Sequence, residues 1–234
     1  MSPKIILTTL ILSYTLSTFG QTDPTTPTNT NPSAPKEKKP EKQGIGLGIK
    51  AGVNFASVTN ASDINASKTS GFMIGAFFAP GTGKQVLGFR TEFIYSKQGY
   101  DFSTASSTGS VKLDYILMPQ LMTINITKYF EIHAGFQMAY LLSAKADSTK
   151  TSATPANPYS SMIDYFNRFD YGIAAGVEVH PILGLMIGAR YNLSLNNMYK
   201  MPTDGNMTTP PGIPSTENID FKNNVVQLYA GWKF

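Results

Sequence analysis

From Gly44 to the last residue, apolar and polar positions alternate with a period of two in eight separate stretches, and no segment of useful length repeats with helical period. Such alternation marks strands whose two faces meet different surroundings. In Ile45–Phe55 the residues Leu47, Ile49, Val53 and Phe55 face away from Gly48, Lys50, Gly52 and Asn54. Phe72–Ala79 repeats the pattern more weakly, and Leu87–Ser96 sets Phe89, Phe93 and Tyr95 against Arg90, Glu92 and Ser96. The fourth stretch, Val111–Met118, places Val111, Leu113, Tyr115 and Leu117 on the apolar face and Lys112 and Asp114 on the polar one. Phe130–Tyr140, Arg168–Val179, Leu183–Ser194 and Val225–Phe234 complete the set, with Glu131, His133, Asp170, Glu178, Arg190 and Lys233 on their polar faces.

The connections alternate in length. Polar loops are expected at 57–71, 97–110, 143–167 and 196–223, and short turns at Pro80–Gln85, Ile126–Tyr129 and His180–Pro181. Strands of about 9–11 residues suffice to cross a bilayer at a tilt. Long loops on one rim and tight turns on the other are how outer-membrane barrels are built. The fold class predicted is all-β: an eight-stranded antiparallel up-and-down transmembrane barrel, whose closure leaves no bare strand edge in lipid.

Alternation alone does not say which face points inward, because a soluble barrel with an apolar interior has the same period. Composition decides. The polar face is crowded with glycine, which suits a narrow lumen. Its charges balance, with Lys50, Arg90, Lys112, Arg190 and Lys233 against Glu92, Asp114, Glu131, Asp170 and Glu178. Such a set is predicted to form an internal ion-pair network, since unpaired buried ions are costly. Aromatic residues gather near the stretch ends on the apolar face, where an interfacial belt belongs. Only 15% of residues are charged, against roughly 25% in soluble domains.

The remaining composition narrows chemistry. There is no cysteine, hence no disulfide, thiol nucleophile or thiolate metal ligand, and the formal charge of +4 is too mild for a nucleic-acid binder. Residues 1–20 carry an early Lys4, an apolar run Ile5–Leu12 and a small residue, Gly20, before Gln21, the layout of a secretory signal peptide. Residues 21–43 hold five prolines and a KEKKPEK cluster and read as a solvated periplasmic tether. The barrel domain is expected over 44–234.

Several segments, in this order, look familiar: GIKAGVNFASV at 48–58, FRTEFIYSKQGY at 89–100, LDYILMPQLMTINI at 113–126, FEIHAGFQMAYLLSAK at 130–145, FNRFDYGIAAGVEV at 166–179, GARYNLSLNNM at 188–198 and the closing VQLYAGWKF. Together they resemble the small outer-membrane β-barrel family of the Bacteroidota, often labelled "porin family" or PorT-like. The resemblance implies a barrel in the bacterial outer membrane with periplasmic termini. It also implies insertion by the barrel-assembly machinery, which reads an aromatic-ended last strand such as Leu228, Trp232 and Phe234. It implies little about activity.

No catalytic, cofactor or metal set stands out. His133 is expected in the lumen beside Glu131 and His180 in a turn, and neither lies at a rim where substrates arrive. An eight-stranded lumen is filled by side chains, so no open pore is expected. The loops carry Tyr159, Tyr165, Phe166 and Tyr199. Two readings stand for these: contacts to an envelope partner, or packing over the barrel mouth. The leading functional expectation is a non-enzymatic accessory barrel whose partners are the outer-membrane bilayer, the insertion machinery and an unidentified envelope protein. A narrow ion-conducting barrel is the alternative, and a lipid-modifying enzyme the third.

Overall fold

The computed structural model describes residues 46–59, 65–80, 86–103, 107–150, 160–161, 163–200 and 221–234. The segment predicted as a signal peptide and the tether lie outside the described residues. The strands are β1 (Leu47–Thr59), β2 (Ser67–Phe78), β3 (Leu87–Ser103), β4 (Ser107–Asn125), β5 (Phe130–Lys150), β6 (Ser160–Ser161), β7 (Phe169–Val179), β8 (Leu185–Ser194) and β9 (Lys222–Lys233). Eight of them close a ring: the hydrogen-bonded order β4-β3-β2-β1-β9-β8-β7-β5 returns to β4 through the β4–β5 pairing. Every neighbouring pair in the ring is antiparallel. The two-residue β6 merely extends the far end of β5 opposite Lys145 and Ala146. Closure pairs β1 with β9, placing Gly48 opposite Lys233 and Thr59 opposite Lys222.

The burial pattern is inside out relative to a soluble protein. Lys50, Arg90, Glu92, Glu178 and Arg190 are buried, whereas Ile49, Phe72, Phe93, Phe136, Ile187 and Leu228 are exposed on the outer wall. A contiguous apolar surface of this extent is stable only against lipid. Phe55, Phe72, Tyr140 and Phe169 ring the wall toward one end, and Phe78, Tyr129, Trp232 and Phe234 toward the other. Among the described residues no helix is long and apolar enough to cross a membrane; the crossing elements are the strands.

The two rims differ. At the turn end, Ile126–Tyr129 joins β4 to β5 and His180–Gly184 joins β7 to β8. Gly184 adopts φ +88°, and a Cβ there would lie 2.9 Å from the Trp232 indole, so the tight turn requires glycine. At the loop end, β3, β4 and β5 have 17, 19 and 21 residues, well beyond the 10 residues of β8 or the 11 of β7. One wall of the barrel therefore projects past the membrane band.

That projection corrects two expected boundaries. Most of the loop predicted at 97–110 is a β3–β4 ladder, with Lys97 opposite Asp114 and Phe102 opposite Gly109. The loop expected from 143 begins only after β5 has run to Lys150. Outside the lipid the outer face meets water, so the apolar row of this ladder is the inward one, Tyr100 and Phe102 on β3 and Val111 and Leu113 on β4, and no outward apolar row marks the strands.

Candidate functional site

Inside the barrel the side chains stack in layers. Nearest the turn end is a small apolar cluster of Phe77, Ala79 and Met186. Next comes a charged layer built across five strands, β1, β3, β5, β7 and β8. Glu92 on β3 accepts from Lys50 Nζ on β1 at 2.6 Å and from Arg190 Nη1 on β8 at 2.8 Å. Arg90, two residues earlier on the same inward face, donates to both Glu178 oxygens at 2.5 and 2.9 Å and to Glu131 at 2.5 Å. Tyr229 Oη donates to Glu178 at 2.7 Å, and its ring lies under Lys50 Nζ, 4.3 Å from the centroid. Glycine makes room for it: a Cβ on Gly188 would sit 2.7 Å from the Tyr229 hydroxyl. Three carboxylates thus face three cations in a dry interior, where charges persist only when matched and hydrogen-bonded.

Above this lies a layer of amides and hydroxyls. Gln227 donates to Asn54 at 3.1 Å, Asn54 to Ser96 at 2.8 Å, Gln98 to Ser96 at 2.9 Å and Asn223 to Gln98 at 2.5 Å. The loop end is closed by an apolar cap containing Tyr100, Phe102, Leu113, Tyr115, Phe166, Met198, Tyr199 and Phe221. Phe166 and Tyr199 stack with centroids 4.6 Å apart, Tyr199 meets Phe221 edge-on at 5.7 Å, and the Tyr199 and Tyr100 hydroxyls share a short hydrogen bond. Backbone bonds hold the crossing segments together: Asn167 N donates to Met198 O at 2.9 Å, and Met198 N to Phe221 O at 2.8 Å.

The structure gathers Lys50, Arg90, Glu92, Glu131, Glu178 and Arg190 into one network. It does not bring Lys112 and Asp114 there. On β4 it is Val111, Leu113, Tyr115 and Leu117 that are buried, so the face expected to meet lipid faces inward. The cap consumes these apolar residues, and Asp114 turns outward to a weak 3.9 Å pair with Lys97. Asp170 sits higher, accepting from Ser194 Oγ at 2.5 Å, and Lys233 is half-buried at the turn end. Leu228, Trp232 and Phe234 face outward. Tyr159 is outside the described residues. Phe166 and Tyr199 are buried, not presented to a partner, and Tyr165 packs against the same cap.

Sequence reasoning missed the amide layer and the place of Tyr229 beside the ion pairs, whereas the cap answers to one of the two readings given for the loop aromatics, packing over the barrel mouth. A signal existed for the first two, because Asn54, Ser96, Gln227 and Tyr229 share the period-two face with Lys50 and Arg90. His133 is buried, with Nε2 3.4 Å from the Tyr229 hydroxyl and Nδ1 4.0 Å from Glu131. Glu131, Glu178 and His180 offer three ligand atoms within 4.8 Å of one another. Arg90 already supplies the cation for both carboxylates, however, and a further divalent charge beside its guanidinium would be opposed.

The model of the family described as outer membrane protein beta-barrel domain matches residues 19–200. The chain belongs to that family. Its place is therefore the outer membrane, in agreement with the apolar wall. A comparison with curated proteins found no match. Among solved structures the chain is similar to Ail, the attachment invasion locus protein of Yersinia pestis, at 17% identity and a TM-score of 0.45, over 81% of this chain and 99% of that one. It is likewise similar to Neisserial surface protein A, at 10% identity and 0.47, over 81% and 97%. The translocator domain of the autotransporter NalP from Neisseria meningitidis follows at 12% and 0.35, over 83% and 90%.

Proposed function

We propose that this barrel is a non-conducting, non-enzymatic anchor that presents its loop end at the cell surface, with both termini in the periplasm, to another component of the envelope. The observation that carries this is the filled lumen: a neutral ion-pair layer, an amide layer and an aromatic cap lie in series along the axis. Catalysis is disfavoured by the surroundings of the one lumen histidine. His133 is buried against Tyr229 and Glu131, and the cavity described among the charged and polar layers holds only about one water-sized species.

The projecting β3–β5 wall and the loops beyond it are the surfaces left for recognition, since Phe166 and Tyr199 are spent on the cap. Orientation follows the usual arrangement of long loops outside and short turns in the periplasm. The finer likeness to the PorT-like group rests on the segments quoted above, and no activity is carried over from it. The test is planar-bilayer conductance of the purified protein. Current indistinguishable from a protein-free membrane is expected, and stable stepwise openings would reject the reading. Co-purification from native membranes in mild detergent then asks for a stoichiometric envelope partner.

A further inference from the structure

Between the charged layer and the cap lies a cavity of about 10 Å³, walled by Gln137, Asp170, Asn192, Ser194 and Asn223 among others. That is room for about one water-sized species. Register brings these residues together from adjacent strands: Gln137 lies opposite Gly172 on the β5–β7 ladder, Ala174 opposite Asn192 and Gly172 opposite Ser194 on the β7–β8 ladder. Four polar atoms of its lining residues are buried without a hydrogen-bond partner among the described residues: Gln137 Oε1, Asn192 Oδ1, Asn192 Nδ2 and Asn223 Oδ1. Asn192 is 2% exposed and Asn223 8%. Native proteins leave few such groups unsatisfied.

The unmet demand is for a hydrogen-bond donor or a cation more than for a hydrogen-bond acceptor. Three of the four orphaned atoms are carbonyl oxygens, and the Asp170 carboxylate joins them. A water molecule donates two hydrogen bonds, so it leaves at least one carbonyl unserved and the carboxylate charge uncompensated. Asp170 is also outside the ion-pair network of the lumen. Lys50, Arg90 and Arg190 are matched by Glu92, Glu131 and Glu178, and among the described residues no salt bridge reaches Asp170. No lysine or arginine lines the cavity. A hard cation is ligated by oxygens of this kind and supplies the missing charge. One carboxylate and one water-sized volume suit a monovalent ion; magnesium retains several waters that do not fit, and calcium takes six to eight oxygens.

We propose that this lumen cavity binds a single monovalent metal cation of the sodium class, held by Asp170 and the side-chain carbonyls of Gln137, Asn192 and Asn223. The ion is resident, not in transit, because the aromatic cap closes one side and the ion-pair layer the other. It gives Asp170 a counter-charge within ion-pair reach as the barrel closes.

The test refolds the full chain into detergent micelles in sodium chloride or in N-methyl-D-glucamine chloride at equal ionic strength. The fraction of folded barrel is followed by heat-dependent gel mobility. A ligand that binds only the native state stabilises it by mass action, so the melting midpoint should rise by a few degrees with sodium and saturate. Asp170→Asn should remove the sodium dependence. If that variant does not fold, Gln137→Leu serves instead and should need about tenfold more sodium for half the effect, the equivalent of losing one good ligand. Crystals soaked in thallium(I) should show an anomalous peak in the cavity. Equal midpoints in the two salts, an unchanged response in the variants, or a water without anomalous signal would each overturn the site.

Discussion

Arg190 on β8 donates to Glu92 on β3 at 2.8 Å across the lumen, 98 residues apart in sequence. Glu92 also holds Lys50 at 2.6 Å from the other side, and both of its partners are fully enclosed. One carboxylate therefore ties three strands together. Glu92→Gln leaves two cations without their shared counter-ion and should lower stability by about 3–5 kcal/mol, the cost of breaking a buried pair. Arg190→Met should cost less, because Glu92 retains Lys50. Urea titration of the refolded barrel checks the order, and an Arg190→Met loss equal to or above that of Glu92→Gln contradicts it.

The cap depends on a hydroxyl pair. Tyr100 and Tyr199 are 0% and 3% exposed, and each hydroxyl has the other as partner. Tyr199→Phe strands the Tyr100 hydroxyl and should cost about 1–3 kcal/mol, whereas the double change Tyr100→Phe with Tyr199→Phe removes both partners and should approach neutrality. A double-mutant cycle measures this directly. Additive losses would show that the two hydroxyls do not serve one another.

Much of this architecture was legible because the physics is periodic. The faces of Lys50, Arg90, Glu92, Glu178 and Arg190 follow from alternation between lipid and lumen. Alternation misleads on β4, where Leu113, Tyr115 and Leu117 point inward to the cap. Hydrophobicity reports lipid only where the interior is polar, and the loop-end interior is not. The extension of β3 to Ser103 and of β5 to Lys150 was hidden for a related reason: beyond the bilayer the outward row is no longer apolar, and the short apolar row that persists on β3, Tyr100 and Phe102, faces inward to the cap. The pairing of Phe166 with Tyr199 joins two loop segments whose proximity no local pattern encodes.

Acid sensitivity should arise at the turn end. His180 lies in the β7–β8 connection, outside the membrane-crossing strands, with Nε2 3.8 Å from Glu178. Burial holds its imidazole below the ordinary value of 6.5, opposed by the Glu178 charge. As pH falls below 6.5, the unfolded chain takes up this proton before the folded barrel does, so stability is lost through that window and regained above it. His180→Gln should flatten the slope between about pH 5 and about pH 7.5. The comparison of urea midpoints at the two pH values decides, and an unchanged slope in the variant assigns the sensitivity elsewhere.

The outer wall makes a depth-dependent prediction. Phe136 stands mid-way along the part of β5 that pairs with β7, Phe130 to Tyr140, opposite Ile173 and Gln120, and is 74% exposed. Tyr140 lies four residues nearer the loop end, within the aromatic belt and opposite Phe169. On a barrel in lipid, a lysine at the mid-plane costs about 2–4 kcal/mol and one near the interface about 0–1 kcal/mol. Phe136→Lys should therefore destabilise the barrel in phospholipid vesicles far more than Tyr140→Lys, while Phe136→Leu should change little. In water the order would vanish, because both positions would simply be exposed. Equal penalties for the two lysine variants in vesicles would place the membrane band elsewhere on the wall, and no penalty at either would remove the wall from lipid altogether.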